Sequence, residues 1–230
     1  MPYTSALIVG AGSGLSAALA RAFMQAGIKV ALAARSADKL AEFVHATGAR
    51  AFNCDAAKRD EVDKLFAELD AAKLTPDVVV YNASYRTRGP LIDLDPVEVE
   101  KAIAITAFGG FLVAQAAVRR MLPRGQGAIL FTGASASVKG YAQSAPFAMG
   151  KFALRGLAQS MARELHPKGI HVAHIVVDGG IRSVRRAEPP DAPDSLLDPD
   201  AIAASYLHLL NQPRSAWSAE LELRPWVEKF

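Results

Sequence analysis

Short apolar runs alternate with longer amphipathic segments along this chain. The first run, residues 6–9, leads through a Gly-rich turn into a segment with apolar residues at helical spacing. Five more apolar runs follow at residues 30–34, 51–54, 78–80, 128–131 and 172–177. Apolar runs of this length are typical of strands buried on both faces of a parallel sheet. Six strands alternating with helices therefore predict an α/β domain with a doubly wound parallel sheet.

The second half carries the longest helical patterns and an irregular tail. Helical spacing extends over residues 97–122, 145–165 and 202–210. Residues 182–200 are rich in Pro, Asp and Arg, and this composition predicts a mobile flap before the last helix. Residues 219–223 alternate and predict a closing edge strand. With no long linker and no repeat, residues 1–230 are expected to form a single domain.

Composition excludes several classes of function. Lys and Arg total 26 against 23 Asp and Glu, and the charges are mixed, so a nucleic-acid groove is not expected. No uninterrupted apolar run approaches the roughly 20 residues of a membrane-spanning helix. Cys54 is the one cysteine and no leader precedes the first strand, which together favour the cytoplasm.

The turn after the first strand has the composition of a phosphate-binding turn. Its glycines are spaced Gly10-x-x-x-Gly14-x-Ser16, between a strand and a helix. Such a turn lets the backbone approach a pyrophosphate, and the helix N-terminus offers unpaired N–H groups. An ordinary tight turn between strand and helix would have a similar composition.

The end of the second strand bears on the choice of nucleotide. An acid there binds the ribose 2′-hydroxyl of NAD, whereas an Arg suits the 2′-phosphate of NADP. This chain reads Ala34-Arg35-Ser36, without an acid. Arg35 and Ser36 therefore predict NADP(H), the alternative being a solvated Arg at a helix start.

Several separate segments carry one known pattern in the correct order. They are Gly10-x-x-x-Gly14, Asp55, Asn82-Ala83, Lys151 with the helix that follows it, and residues 178–183. Over nearly the whole chain the sequence resembles the short-chain dehydrogenase/reductase family. The resemblance implies a Rossmann fold, in which Asp55 holds the adenine, Lys151 the ribose, and Ile181 and Ser183 the nicotinamide carboxamide. The residues expected to contact the cofactor are Gly10, Gly12, Ser13, Gly14, Leu15, Arg35, Ser36, Asp55, Ala56, Asn82, Ala83, Lys151, Gly179, Ile181 and Ser183.

The sequence departs from the family's catalytic pattern. The resemblance implies carbonyl reduction or alcohol oxidation through a Tyr four residues before the Lys, with a Ser and an Asn upstream. Those three positions hold Phe147, Ala134 and Thr106 here, and only Lys151 matches. Phe147 cannot carry a proton, but Lys151 can still donate to ribose hydroxyls, so cofactor binding and proton transfer separate in this sequence.

Two hypotheses follow for the function. The first is an NADP(H)-dependent oxidoreductase of a small molecule with an altered site, in which Tyr141 supplies the proton and Lys151 and Ser135 assist. Ser137, Ser144 and Tyr85 remain alternative hydroxyl donors. The second is a catalytically silent NADP-binding module that senses redox state or pairs with an active relative. A scaffold that binds no nucleotide would make Gly10, Gly14, Arg35 and Lys151 coincidental.

Three further features concern ligands and assembly. Arg182, Arg185 and Arg186 begin the flap and suggest an anionic substrate or a contact with cofactor phosphate, although a solvated basic segment would look the same. No metal site is expected, since the neighbouring histidines suit packing or surface roles. Ala- and Gly-rich helices 97–122 and 145–165 predict a homodimer or homotetramer, to which Trp217 and Trp226 offer an alternative surface.

Overall fold

The apolar runs form one sheet of seven parallel strands in the computed structural model, which describes residues 3–184 and 186–228. The strands are β1 Ser5–Val9, β2 Lys29–Ala34, β3 Arg50–Asn53, β4 Val78–Tyr81, β5 Gly127–Thr132, β6 Ile170–Val177 and β7 Glu220–Leu223. Their order across the sheet is β3-β2-β1-β4-β5-β6-β7. The predicted doubly wound sheet and its closing edge strand are confirmed.

Helices cover both faces of this sheet. They are α1 Leu15–Gln25, α2 Ala41–Thr47, α3 Arg59–Ala71, α4 Pro96–Ile103, α5 Gly109–Met121, α6 Ala145–Leu165 and α7 Pro199–Asn211. Residues of α3, α5 and α6 form one core with one face of the sheet, and residues of α1 and α7 form a second core with the other face. Two layers of helices therefore bury the strands, which explains why the strands read as apolar runs.

The predicted long helix 97–122 is interrupted by a π-helical segment. Residues Ala104–Phe108 between α4 and α5 adopt this wider turn, and the Tyr81 hydroxyl donates to the Ile105 carbonyl within it. The stretch Pro96–Arg124 is long and apolar enough to cross a membrane by length and composition, but half of its most apolar window is buried in the protein. Val113 and Ala117 of α5 are fully buried in the core, as in a core helix of a soluble fold.

The chain after β2 enters α2 through a short 3₁₀ turn. A 3₁₀ turn, Ala37–Leu40, precedes α2, and the Ser36 side chain makes no capping hydrogen bond. The Asn53 side chain at the end of β3 accepts from the Ala37 N–H at 2.9 Å instead. The Asn53 side chain thus satisfies the Ala37 N–H, and the Ser36 hydroxyl does not serve as a cap.

The order of the strands opens a crevice at the carboxyl edge of the sheet. After β3 at one edge the chain returns to β4 on the opposite side of β1, so the loops after β1 and β4 diverge. Gly10 has a left-handed φ of 83°, and a Cβ on it would lie 2.4 Å from the Ala83 amide nitrogen. Glycine is therefore required where these two loops touch.

Candidate functional site

Three cavities line this carboxyl edge and share walls. The Arg35 cavity, about 470 Å³, runs from the turn after β1 to the ends of β2 and β3. The Lys151 cavity, about 530 Å³, shares Gly10, Gly12 and Asn82 with it. The Tyr141 cavity, about 520 Å³, in turn shares Arg86 and Phe147 with the Lys151 cavity. The three form a trough along the crevice of the sheet.

A short hydrogen-bond chain fixes the turn after β1. The Ser16 hydroxyl donates to the Gly10 carbonyl at 3.1 Å, and the Asn82 amide donates to the Ser16 oxygen at 2.8 Å. Asn82 thus ties the loop after β4 to the start of α1. Ser16, where the family pattern has glycine, closes this chain and holds the turn in place.

The glycine turn presents bare backbone to the cavities. A Cβ added to Gly12 or Gly14 would meet nothing within 4 Å. No side chain caps the N-terminus of α1, and the first N–H groups of a helix have no partner within the helix. The residues present at this end of α1 leave room for the pyrophosphate of a dinucleotide.

The Arg35 cavity brings together the predicted nucleotide residues at the ends of β2 and β3. Arg35, Ser36, Asp55 and Ala56 all line it, with Ser13 and Ala83 at its other walls. The Asp55 carboxylate accepts from the Ala57 N–H at 3.1 Å, which orients it. Lys39 in the 3₁₀ turn also lines this cavity and was missed by the sequence analysis. The signal that could have indicated it is a second cation, four residues after Arg35, in the turn that follows β2.

Lys151 lies at the bottom of its cavity and is 3% exposed. Its Nζ donates to the Thr132 carbonyl at the end of β5, at 2.7 Å. Burial, and then the charge of Arg86, lower the pKa of Lys151 to about 7. Lys151 therefore changes charge near neutral pH. A group with a pKa in this range is well suited to donate or accept a proton.

A buried histidine lies behind the Lys151 cavity. A Cβ on Gly133 would come within 2.4 Å of the His174 Nε2, so glycine is needed above this ring. The His174 Nδ1 lies 3.4 Å from Glu220 of β7, whose carboxylate accepts two hydrogen bonds from Arg155. Burial lowers the pKa of His174, so the ring is neutral at neutral pH.

Two of the three residues that the sequence analysis aligned with catalytic positions, Phe147 and Ala134, line the Lys151 cavity. Phe147 lies one helical turn before Lys151 and is 6% exposed, and Ala134 lies on the wall of the same cavity. Thr106 is buried in the π-helical segment and accepts from the Tyr85 N–H at 3.2 Å. None of these side chains presents a proton donor to the Lys151 cavity.

The predicted substitute donors lie at different distances from this centre. Tyr141 and Ser135 line the Tyr141 cavity, with Ser144 buried beside them. Ser137 accepts from the Ala134 N–H, and the Tyr85 hydroxyl donates to Glu98 outside the three cavities. Tyr141 is 48% exposed and forms the outer wall, one cavity away from Lys151.

The segment after β6, which leads into the predicted flap 182–200, contributes residues to the Lys151 cavity. Gly179, Ile181 and Ser183 line it, and Ile181 and Ser183 form isolated bridges with Leu197 and Arg186. These bridges fold the segment back over the carboxyl end of β6. Arg185 lies outside the described residues.

Arg86 is the largest feature that the sequence analysis missed. Its guanidinium carbon lies 3.9 Å from the centre of the Phe147 ring, and the side chain forms a wall common to the Lys151 and Tyr141 cavities. Arg86 follows Asn82 by four residues, and only the packing on Phe147 shows where it points. Within the described parts of the chain, no cluster of three or more His, Cys, Asp or Glu could hold a metal ion.

Comparisons with known proteins agree with this architecture. The sequence profile described as short chain dehydrogenase matches residues 4–189. An uncharacterized oxidoreductase of Staphylococcus aureus (strain N315) is 28% identical over 226 residues, covering 96% of both chains.

Solved structures give the same result. A short-chain dehydrogenase from Rhodopseudomonas palustris is 35% identical with a TM-score of 0.83, over 97% of this chain and 99% of that one. A metagenomic short-chain oxidoreductase in complex with NADP is 28% identical with a TM-score of 0.83, over 97% and 98% of the two chains. With this fold, this crevice and these relatives, the chain belongs to the short-chain dehydrogenase family and is an oxidoreductase by that membership.

Proposed function

We propose that this protein is an NADP(H)-dependent oxidoreductase that interconverts a carbonyl group and an alcohol on a small molecule, with an altered active site. One observation carries the proposal. The bare N-terminus of α1, the cations Arg35 and Lys39, and the buried Lys151 lie along one continuous trough. These three sites match the pyrophosphate, the adenosine ribose and the nicotinamide ribose of a dinucleotide, respectively, and the pyrophosphate site lies between the other two.

Preference for NADP(H) rests on the charges at the end of β2. Arg35 and Lys39 line the Arg35 cavity, and β2 ends without a carboxylate. Two cations stabilise the dianionic 2′-phosphate, which the acid of an NAD-selective site would repel. The solved relative with bound NADP supports the same assignment.

The remaining predicted residues fit the two ends of the cofactor. Asp55 and Ala56 would hold the adenine, and Ile181 and Ser183 the carboxamide of the nicotinamide, with Lys151 donating to ribose hydroxyls. A nicotinamide cofactor held by these residues would supply the hydride for reduction of the carbonyl carbon. The protein must then deliver one proton to the carbonyl oxygen, which gives the alcohol.

We assign that proton to Tyr141, with Ser135 as a hydrogen-bonding neighbour. Both line the cavity that adjoins the Lys151 cavity. Lys139 lies beside Tyr141, 5.9 Å from its ring centre, and a hydrogen bond with Tyr141 raises the pKa of Lys139. The Tyr141 hydroxyl is thereby held at the wall of this cavity, where it can act as the proton donor.

Binding and turnover test the function in one sample. Calorimetry with NADPH and with NADH should show tighter binding of NADPH. At least one compound from a panel of aldehydes, ketones, quinones and imines should then oxidise NADPH, as followed by the absorbance of the reduced nicotinamide. Absence of NADPH binding would refute the cofactor assignment. Tight binding without turnover of any member would favour the silent module instead.

The silent module has one specific observation in its favour. Phe147 is buried and Arg86 covers its ring, so the helical turn before Lys151 offers no hydroxyl. In that case the trough binds NADPH as a regulatory ligand. Substitutions in the Tyr141 cavity then leave the affinity for NADPH unchanged, and no turnover is detected.

We also place the protein in the cytoplasm. Cys54 is a buried free thiol, and burial raises its pKa to about 12, so it stays protonated and unreactive. A thiol held in this way is compatible with a reducing compartment.

A further inference from the structure

Three arginines line the Tyr141 cavity, and the cofactor site proposed above assigns none of them a role. Arg86 and Arg88 come from the loop after β4, and Arg186 comes from the segment after β6. Arg86 and Arg186 also line the Lys151 cavity. These residues, Arg86, Arg88 and Arg186, are called the arginine cluster below.

The three guanidinium groups lie close enough to repel one another. Burial, and then the charges of Arg88 and Arg186, lower the pKa of Arg86. Like charges brought together without a partner cost free energy in the folded protein. A bound anion would offset that cost.

No carboxylate of the described residues neutralises the arginine cluster within 4 Å. Asp178 lines the cavity, but it pairs with Lys139 and Arg224 at 3.4 Å each. Glu228 also lines the cavity without pairing with the cluster. The neighbouring Arg182, in contrast, pairs with Asp198 and Glu188.

Phe147 gives Arg86 a fixed orientation. The guanidinium carbon lies 3.9 Å above the ring centre, the distance of a stacked cation–π contact. A guanidinium that rests its face on an aromatic ring keeps its N–H edges available for the two oxygens of a carboxylate or phosphate. Phenylalanine in place of a proton-donating tyrosine thus creates a platform for an arginine.

The cluster lies at the substrate end of the trough. None of the Gly10–Gly14 turn residues lines the Tyr141 cavity, and Arg35 and Lys39 lie in the Arg35 cavity. The volume of about 520 Å³ is that of a small-molecule site. The cofactor phosphates therefore have their own cations elsewhere.

We propose that the Tyr141 cavity binds substrates that carry an anionic oxygen group in addition to the reacting carbonyl, and that Arg86 and Arg186 bind this group. The proposal rests on the proposed function and specifies its substrate class. The anionic group is a carboxylate or a phosphate, which share the two-oxygen geometry that a guanidinium recognises. The reaction is unchanged: hydride from NADPH and one proton convert the carbonyl to an alcohol and leave NADP⁺.

Steady-state kinetics with matched pairs of ketones test the proposal. Levulinate is compared with methyl levulinate, and dihydroxyacetone phosphate with dihydroxyacetone, each in the presence of NADPH. We expect a lower KM for the charged member of at least one pair, and the pair that shows it identifies carboxylate or phosphate. Equal KM values within both pairs would overturn the proposal while leaving the oxidoreductase in place.

Arginine variants assign the effect to the cluster. Arg86→Gln should raise the ratio of KM for the charged ketone to KM for its neutral partner about 10- to 100-fold, the usual loss for a hydrogen bond to a charged group. Retained turnover of the neutral ketone shows that the variant is folded. Arg59→Gln, on α3 outside the three cavities, removes the same charge and should change neither.

Two further results separate the possible failures. If Arg86→Gln and Arg186→Gln weaken NADPH binding in place of ketone binding, the cluster serves the cofactor and the proposal is overturned. If no ketone is turned over, calorimetric titration of the NADPH-saturated protein with levulinate and with dihydroxyacetone phosphate decides. Binding that Arg86→Gln abolishes supports the anion site even though the oxidoreductase fails, and equal binding by both proteins refutes the site.

Discussion

Lys151 combines full burial with a position in the proposed cofactor trough. Its pKa is lowered to about 7 from an ordinary value near 10.5, because burial disfavours the ammonium. The ammonium is present below that pH and lost above it. A charged donor binds ribose hydroxyls and the anionic cofactor more strongly than a neutral amine.

Cofactor affinity should therefore depend on pH through Lys151. We expect the Kd for NADPH to increase as pH rises from 6.5 to about 9, and Lys151→Met to bind more weakly without this dependence. Calorimetry at four pH values measures both. Lys168→Met, an exposed lysine of the turn after α6, is the matched control, and an unchanged pH profile in Lys151→Met would contradict the assignment.

Arg35 should decide between the two nicotinamide cofactors. Arg35→Asp places a carboxylate where the 2′-phosphate is expected, so NADPH affinity should fall about 10- to 100-fold while NADH affinity rises. Competition binding with both cofactors gives the ratio. Arg59→Asp makes the same change of charge on α3, and a similar loss in that variant would show that overall charge, and not position, sets the preference.

Tyr141 tests the proton step separately from binding. Tyr141→Phe should lower kcat by about 10²- to 10⁴-fold with the NADPH Kd unchanged, since a general acid contributes that much. Tyr3→Phe removes a phenol that donates to the Gly127 carbonyl at the amino edge of the sheet, opposite the carboxyl edge that holds the trough, and serves as the control. Full activity of Tyr141→Phe would contradict the assignment of Tyr141 as the proton donor. Lys151, the titrating group in the adjoining cavity, would then be assigned that role.

At the scale of elements, the turn between β1 and α1 contains one glycine that the fold requires and one that leaves room for the cofactor. Gly10 has a left-handed φ and no room for a Cβ beside Ala83, whereas a Cβ on Gly12 meets open space. Gly10→Ala should lower the free energy of unfolding by about 1–3 kcal/mol through strain and overpacking. Gly12→Ala should leave stability within about 0.5 kcal/mol but weaken NADPH binding by crowding the pyrophosphate.

Thermal unfolding and NADPH titration of the two glycine variants check this pair. Equal loss of stability in both would mean that the turn is not divided in this way. The comparison needs no other residue, because the two glycines are two positions apart in one turn.

The same scale shows what the sequence could predict. Buried parallel strands such as β4 and β6 are apolar on both faces, so their positions follow from local pattern. The 3₁₀ turn after Ser36 depends on Asn53 of the next strand, and the π-helical segment on the Tyr81 hydroxyl. Contacts between distant segments decide these features, and no local pattern encodes them.

The site was predictable to the same degree. Residues of the Gly10 turn, Arg35 and Lys151 stand at strand ends or at fixed helical spacing, and the structure brings them into one trough. Arg86 was not predictable, because its place depends on stacking against Phe147, sixty-odd residues later in the chain. A side chain that takes its position from a distant ring has no signature in its own segment.

At the scale of the whole molecule, an apolar surface extends over α5, α6 and the π-helical segment. Phe108 and Phe111 stack at 6.2 Å between ring centres and are 50% and 40% exposed, and Met149 and Phe152 are 50% and 44% exposed. Apolar residues grouped in this way on a soluble fold indicate an interface. The surface contains the helices for which self-association was predicted.

Assembly should therefore depend on this surface. We expect an oligomer of two or four chains in light scattering after size exclusion, and the double variant Phe111→Glu with Phe152→Glu should shift it to the monomer. Trp226 is 80% exposed on the alternative surface near the C-terminus. If Trp226→Glu dissociates the oligomer and the double variant does not, the interface lies at the C-terminal surface.

The two edges of the sheet have a consequence for how these molecules can meet. Edge strands β3 and β7 are four residues long, and β7 carries Glu220 and Glu222, held by Arg155 and Arg224. Short edges with fixed charges are poor templates for a further strand. Contact between copies is thereby directed to helix surfaces, and even concentrated solutions should resist growth into fibrils through continuous intermolecular sheets.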